Sequence, residues 1–185
     1  MSIINKFKKP PILCRKKYND LSVFTPESLL REAQRQKSIQ FKKVPEICLL
    51  DPDGDIVNNL LKENKAKLNP AWACYHTKLY DFIYNEIEFG IIGGAVGASF
   101  AVLVAEELFV SGCQLLISIS SAGQILPIRK PPYFVLIEKA IRDEGTSYHY
   151  ISPSPYSEIN PSLLNILNKA FDNSNVSVEF GTSWT

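Results

Sequence analysis

The chain has 185 residues, of which 45% are hydrophobic and 21% charged, and its net charge at pH 7 is +1. This length suits one domain with a buried core, and the small net charge gives no general attraction to nucleic acid or to membranes. No apolar run reaches the roughly 20 residues that span a bilayer, and the basic start lacks the apolar segment of a secretory signal. The 4 cysteines lack the spacing of a zinc site. We therefore expect a cytoplasmic protein without a metal that binds neither nucleic acid nor membrane.

Residues 1–43 are predicted to form a basic extension that contains one helix. Lysine and arginine dominate its first 24 residues, which favours a solvated extension over the alternative of a phosphate- or RNA-binding arm. Thr25-Pro26-Glu27 is typical of a helix start, and the helix is expected to end near Lys37.

The domain proper is predicted to begin at residue 44, with a first strand over Glu46–Leu50. An acidic turn, Asp51-Pro52-Asp53-Gly54-Asp55, follows this strand and leads into a short helix that contains Val57. Like charges repel, so this turn should disfavour phosphate. A calcium loop is excluded because the remaining ligands of such a loop are missing.

The next segment predicts a hairpin, a helix and another strand. Alternating residues over Leu79–Tyr84 predict a strand with a turn near Asn85, and Phe89–Ile92 predicts its partner. Helical spacing of apolar residues predicts a helix over Ala98–Val110, with Glu106 and Glu107 on its solvent side. A further strand is expected over Leu115–Ser121.

A helix between two strands implies parallel strands with a right-handed crossover. Ligands of such sheets gather at the carboxyl ends of the strands. These ends are the glycine-rich turn Gly93–Gly97 and the small-residue turn Ser120–Gly123, which we expect to lie side by side. His76 is expected to be a core or surface residue.

The remaining residues predict two strands and a helix. The strands are expected over Tyr133–Glu138 and Val176–Phe180. Asn160-Pro161 should open a helix with a buried apolar face, formed by Leu163, Leu164, Leu167 and Phe171.

An ordered set of motifs resembles the nucleoside phosphorylase/nucleosidase superfamily, in particular its uridine phosphorylase-like branch. The set is GG-x-x-G-x-S, a helix that ends in Ala-Glu-Glu-Leu, S-S-A-G-x-x-x-P, a strand, and R-D-E-G-T-S-Y-H-Y. The rival interpretation, a dinucleotide-binding unit, needs G-x-G-x-x-G spacing, which GGAVG lacks. The resemblance implies a three-layer α/β/α sandwich with a central mixed sheet over residues 44–185.

The resemblance also implies the function and the site. It implies cleavage of the N-glycosidic bond of a nucleoside to the free base and ribose 1-phosphate, without a cofactor and with phosphate as a co-substrate. It places phosphate or the attacking water at Gly93, Gly94 and Ser121, and ribose and base at Ala122 and Gly123. Further candidates are Ser120, Arg142 and His149. Arg142 could instead be an ion-pair partner of an adjacent carboxylate, and no catalytic residue is assigned.

The chain departs from the family pattern at two arginines that hold phosphate. Gly54 and Ser118 stand where these arginines are expected, and the Ser-Ala-Gly triplet is also found in nucleosidases, which use water. A hydrolytic nucleosidase is therefore the first alternative. The second is a nucleoside-binding or oligomer-forming protein without turnover, because the glutamate-bearing strand and the base-recognition residues of the carboxyl-terminal third do not follow. Family members assemble as dimers or hexamers, so we expect a homo-oligomer.

Overall fold

The computed structural model describes residues 10–14, 17–171 and 175–184. Five of the eleven basic residues of the predicted amino-terminal extension, part of the predicted turn at 173–175 and Thr185 lie outside these ranges. The chain divides into two compact units, Leu21–Gly123 and the pair of segments Met1–Asp20 and Gln124–Thr185. The predicted domain boundary at residue 43 stays a prediction.

The unit Leu21–Gly123 contains three helices and a five-stranded mixed sheet. Its elements are α1 (Pro26–Lys37), β1 (Ile47–Asp51), α2 (Asp55–Lys62), β2 (Ala66–Leu68), β3 (Tyr80–Tyr84), β4 (Ile87–Gly93), α3 (Ala98–Val110) and β5 (Leu115–Ser118). The strand order is β2-β3-β4-β1-β5, with β1 parallel to both β4 and β5. Every predicted element of this unit is present, and β2 is an addition.

Local chemistry explains where these elements begin and turn. The Thr25 hydroxyl accepts a hydrogen bond of 3.3 Å from the Ser28 amide, which caps α1 as predicted. Asn85 and Glu86 join β3 to β4 with φ angles of 49° and 64°. Two consecutive positive φ angles are the signature of the tight hairpin turn that matches strand twist.

Helices cover both faces of the sheet. Successive residues of a strand point to opposite faces: a Cβ added to Gly93 would meet Val57 of α2, whereas Ile92 belongs to the core cluster with Val104 and Leu108 of α3. Helix α1 packs on α3 from outside. The α/β sandwich implied by the family resemblance is therefore confirmed.

The burial of one residue of α3 differs from the prediction. Glu107 was expected to face solvent, but its side chain is fully buried. The helix has no purely solvated face there, because α1 covers one side of it and the residues around Cys74 and His76 approach Glu107.

In its described residues, the second unit contains a three-stranded sheet and one α-helix. Its elements are β6 (Phe134–Ile141), β7 (Tyr156–Glu158), α4 (Pro161–Phe171), β8 (Val178–Ser183) and two 3₁₀ turns, Pro11–Leu13 and Thr146–His149, which contact each other. Strand β6 is central, antiparallel to β7 and parallel to β8. Strand β8 begins two residues later than predicted.

The predicted buried face of α4 is wrong. No described residue of α4 is fully buried, and Leu163 is 37% exposed. The apolar stripe is only partly covered: Leu164, Leu167 and Phe171 are half-buried, and Phe171 lines a cavity with Val178 and Phe180 of β8. No helix in the described ranges is long and apolar enough to cross a bilayer.

Candidate functional site

The carboxyl ends of β1, β4 and β5 meet at one edge of the five-stranded sheet. The turns Gly93–Gly97 and Ser120–Gly123 follow β4 and β5, but β1 lies between these two strands. The expectation that they lie side by side is therefore wrong, since the crossover through α3 skips one strand. Two strand spacings of about 4.8 Å leave the turns about 10 Å apart. Both still belong to one edge, with the β1–α2 turn between them.

The β1–α2 turn is closed by its own carboxylate. Asp51 is buried, and its side chain accepts hydrogen bonds from the amides of Gly54 (3.1 Å) and Val57 (2.9 Å). These bonds satisfy amides of the first turn of α2 that would otherwise attract an external anion. Asp51 thus serves the helix and not a ligand.

Backbone geometry explains the glycine that stands at the expected arginine. Gly54 has φ 79° and ψ 1°, the left-handed conformation, and precedes α2. Glycine adopts this conformation without steric cost, whereas an arginine there would be strained. The turn is built around Gly54, so the missing phosphate arginine is a property of the backbone as well as of the sequence.

The glycine turn after β4 leads to an open helix terminus. The Gly94 amide donates a hydrogen bond of 3.0 Å to the Asp51 carbonyl oxygen, so this donor is already engaged. Gly97 precedes α3 and has no side chain that could cap that helix. The residue before α3 therefore supplies no acceptor to the helix, and the positive end of the helix dipole there favours an anionic or hydroxyl-bearing ligand.

The small-residue turn after β5 is exposed and contacts the Asp53 carboxylate. The Ser121 amide donates a hydrogen bond of 2.6 Å to the Asp53 carboxylate. This amide, with the hydroxyls of Ser121 and Ser120, holds the pKa of Asp53 below its ordinary value. Ala122 and Gly123 are also exposed. Asp53 therefore links the turn after β1 to the turn after β5.

A cleft of about 700 Å³ opens beside Gly93 and Gly94, a volume within the range of small-molecule sites. Its lining includes three side chains that can carry positive charge, namely Lys37, His76 and Lys78. The Lys37 ammonium donates a hydrogen bond of 2.7 Å to the Cys74 carbonyl oxygen and lies 5.1 Å from the Tyr75 ring centroid. No arginine lines this cleft among the described residues.

Arg142 and His149 belong to the three-stranded unit. Arg142 is buried, and its guanidinium donates hydrogen bonds to the Ser147 and Ser154 hydroxyls and to two carbonyl oxygens of residues 151 and 152. The adjacent Glu144 carboxylate instead accepts from the amides of Thr146 and Ser147. Arg142 therefore organises a loop, and His149 is exposed at the end of the 3₁₀ turn.

The sequence analysis did not identify the residues that are distant in the chain but meet at this edge of the sheet. Asp53 and Ser121 are 68 positions apart, and no local pattern indicates that they touch. Lys37 and Lys78 resemble ordinary surface lysines in the sequence. Only the acidic turn gave a signal, and it pointed to repulsion of phosphate and not to a specific contact.

Comparison with known proteins agrees with this architecture. Residues 46–185 match the family model of the phosphorylase superfamily. No curated protein sequence matches the chain significantly. Members of this superfamily are known not to need a cofactor. In the described ranges, no group of three or more His, Cys, Asp or Glu side chains could hold a metal ion.

Solved structures with the same fold include both phosphorylases and nucleosidases. Uridine phosphorylase from Vibrio fischeri ES114 is 23% identical, with a TM-score of 0.62 over 78% of this chain and 59% of its own. Purine nucleoside phosphorylase from Toxoplasma gondii, in complex with immucillin-H, is 15% identical, with a TM-score of 0.63 over 77% of this chain and 57% of its own. Campylobacter jejuni 5'-methylthioadenosine/S-adenosyl homocysteine nucleosidase is 16% identical, with a TM-score of 0.58 over 77% of this chain and 65% of its own.

This chain thus spans less than two thirds of the length of these structures. At these identities the likeness shows the fold, while the family match extends over most of the chain. The sandwich, the glycine turn after β4 and the matched range lead to one conclusion. The chain belongs to the phosphorylase superfamily of nucleoside phosphorylases and nucleosidases.

Proposed function

We propose that the edge formed by β1, β4 and β5 binds a nucleoside and takes part in cleaving its N-glycosidic bond, which releases the free base. The observation that carries this proposal is the cleft of about 700 Å³ beside Gly93 and Gly94, at the carboxyl ends of parallel strands. The start of α3, which follows Gly97 and has no side-chain cap from that residue, supports it. Ser121, Ala122 and Gly123 are proposed to lie along the ligand at the same edge.

Cleavage of this bond passes through a sugar with oxocarbenium character, as in glycoside hydrolysis. The site must therefore stabilise positive charge on the sugar, accept negative charge on the leaving base and position a nucleophile below the anomeric carbon. Asp53 supplies negative charge at the edge, and Lys37 and Lys78 supply positive charge in the cleft. The edge thus combines both signs of charge in one small region.

Water is the nucleophile that this geometry supports best, and the products would then be the free base and ribose. The Asp53 carboxylate holds the Ser121 amide, and Gly54 and Ser118 stand at the positions of the two expected arginines. Phosphorolysis to ribose 1-phosphate is the second candidate. Two cleft lysines favour it, since phosphate binds to ammonium groups as well as to guanidinium groups.

We also propose that the chain forms a homo-oligomer, a dimer or a hexamer. Strand β5 is an edge strand of the sheet, and its side chains Leu115 and Ile117 are 40% and 37% exposed. An exposed apolar edge strand readily pairs with another copy.

The test is nucleoside binding and base release by the whole 185-residue chain. Uridine, inosine and methylthioadenosine should be titrated by calorimetry, and base release should be followed with and without inorganic phosphate. We expect binding of at least one nucleoside and release that does not depend on phosphate. Phosphate-dependent release with ribose 1-phosphate as product would establish the second candidate.

A pair of lysine variants serves as the control. Lys78→Ala alters the cleft and should weaken nucleoside binding, while Lys67→Ala removes the same charge from exposed strand β2 and should not. Binding without base release would identify a non-catalytic nucleoside-binding protein. Absence of binding to all three nucleosides by a folded chain would overturn the proposal.

A further inference from the structure

The contact between Asp53 and Ser121 has the chemistry of a bound anion. A carboxylate oxygen lies 2.6 Å from a backbone amide nitrogen in an exposed turn at the carboxyl end of β5. Charge-assisted hydrogen bonds of this kind are shorter and stronger than neutral ones. The amide of Ser121 therefore already has an anionic partner, supplied by the chain itself.

We propose that Asp53 determines which nucleophile this site accepts, because its carboxylate occupies the Ser121 amide that an incoming phosphate would need. This inference rests on the proposed function, in which the Ser120–Gly123 turn is part of the nucleoside site. Asp53 acts here as a specificity-determining residue, and it excludes phosphate without excluding water.

Phosphate and the Asp53 carboxylate compete for the same hydrogen-bond donor in this turn. A backbone amide has a single proton to donate, so phosphate can bind to the Ser121 amide only after the Asp53 carboxylate has left it. The Ser120 hydroxyl donates to the Ser121 carbonyl oxygen at 3.2 Å and is thus also engaged. A neutral water molecule needs no such displacement, because it can add to the free lone pairs of the carboxylate.

The negative charge of Asp53 also opposes phosphate binding after phosphate has displaced the carboxylate from the Ser121 amide. Asp53 is held in place by a two-residue link to Asp51, whose carboxylate is anchored on Gly54 and Val57. A displaced Asp53 therefore stays close to the turn, and its negative charge repels a bound phosphate.

The test is the binding of inorganic phosphate, with sulfate as a second probe, to the whole chain and to three variants. Asp53→Ala removes both the charge and the acceptor, Asp53→Asn keeps an acceptor without the charge, and Asp55→Ala removes one charge from the same turn. Asp55 is exposed at the start of α2 and is the matched control. Thermal melting should establish that each variant is folded.

We expect Asp53→Ala to bind phosphate about 10-fold or more tightly than the unaltered chain, which is the scale of one charge-assisted hydrogen bond. Asp53→Asn should fall between these two proteins. Asp55→Ala should change the affinity by about 2-fold or less, because a solvated charge is screened. This ranking supports a local competition.

Two results would overturn the inference. Equal gains in Asp53→Ala and Asp55→Ala would show that only the net charge of the turn matters. Absence of phosphate and sulfate binding in Asp53→Ala, with nucleoside binding retained, would show that the turn is no anion site although the proposed function stands. Conversely, phosphate binding by Asp53→Ala without any nucleoside binding would show that the turn is an anion site although the proposed function is wrong.

Discussion

The Asp51 carboxylate accepts a hydrogen bond of 2.9 Å from the amide of Val57, across the turn that joins β1 to α2. The same carboxylate accepts from the Gly54 amide, and its side chain is only 2% exposed. The start of α2 is thereby fixed to the end of the central parallel strand β1. Asp53, two residues further along, is positioned by this anchor.

Loss of the Asp51 carboxylate should destabilise the fold. Asp51→Ala leaves the Val57 amide without its acceptor and the Gly54 amide with only the carbonyl oxygen of residue 51, at 3.0 Å, so we expect the free energy of unfolding to fall by about 1–3 kcal/mol. Urea denaturation followed by circular dichroism measures this change. Asp55→Ala, in the exposed first turn of the same helix, should cost less than about 1 kcal/mol. Equal losses in both variants would contradict an anchoring role for Asp51.

Gly93 should tolerate no side chain while Val57 is present. A Cβ at position 93 would lie 2.5 Å from a Val57 methyl carbon, so Gly93→Ala should cost about 1–3 kcal/mol of stability through overpacking. Val57→Ala alone should also destabilise, because it leaves a cavity. The double variant should cost less than the sum of the single changes. Additive losses in a double-mutant cycle would show that the two positions do not touch.

Glu107 should make stability depend on pH. Burial raises the pKa of this carboxyl, and the weak contact with the Cys74 thiol does not give either oxygen a partner of normal hydrogen-bond geometry in the described ranges. A raised pKa means that the folded chain keeps its proton after the unfolded chain has lost it. Stability therefore falls as the pH rises through and above the ordinary carboxyl pKa.

Glu107→Gln removes this dependence. We expect the variant to be more stable than the unaltered chain at neutral pH, and the difference should vanish below the ordinary carboxyl pKa. Denaturant melts at several pH values test this, with Glu106→Gln on the same helix as a control. A Glu107→Gln variant that is less stable at neutral pH would show that the charged carboxylate has a stabilising partner.

Arg142 should be irreplaceable by lysine. Its planar guanidinium reaches four oxygen acceptors and lies 4.3 Å from the centroid of the Tyr148 ring. Lysine lacks this fork of donors, so Arg142→Lys should cost about 2 kcal/mol of stability. Arg129→Lys, in a partly exposed pair with Glu179 at 3.1 Å, should cost less than about 1 kcal/mol. Similar losses in the two variants would exclude a special role for the guanidinium.

Association should depend on the exposed side chains of β5. Leu115 and Ile117 leave apolar surface at the edge of the sheet, and burying this surface between copies is favourable. We expect light scattering to report a dimer or larger species. Leu115→Lys combined with Ile117→Lys should shift the chain toward monomer. An unchanged molar mass in this double variant would place the interface elsewhere.

The sequence predicts most local elements because their causes are local. Thr25 marks the start of α1, Asn85 lies at the hairpin, and the glycines around Gly93 end a strand as expected. Strand order is different, because nothing in residues 89–118 indicates that β1 inserts between β4 and β5. Glu107 was misplaced for the same reason: burial of a carboxylate depends on which elements cover α3.

The candidate site was predictable only in part. The positions of Gly93 and Ser121 at strand ends follow from strand and turn patterns, whereas their roles rest on the family resemblance. The bond from Asp53 to Ser121 joins two turns from distant parts of the chain, and the closure of the first turn of α2 depends on the buried Asp51 carboxylate. Both features depend on tertiary structure.

The hydrogen bond between Asp53 and Ser121 also sets the concentration of free anion that is needed to displace the Asp53 carboxylate. A ligand tethered by a short flexible link competes as if it were present at an effective concentration on the order of millimolar. A free anion must match this local concentration before it takes the amide for half of the time. Free anions would then occupy the Ser121 amide only at millimolar concentrations. More dilute anions would leave the bond between Asp53 and Ser121 in place.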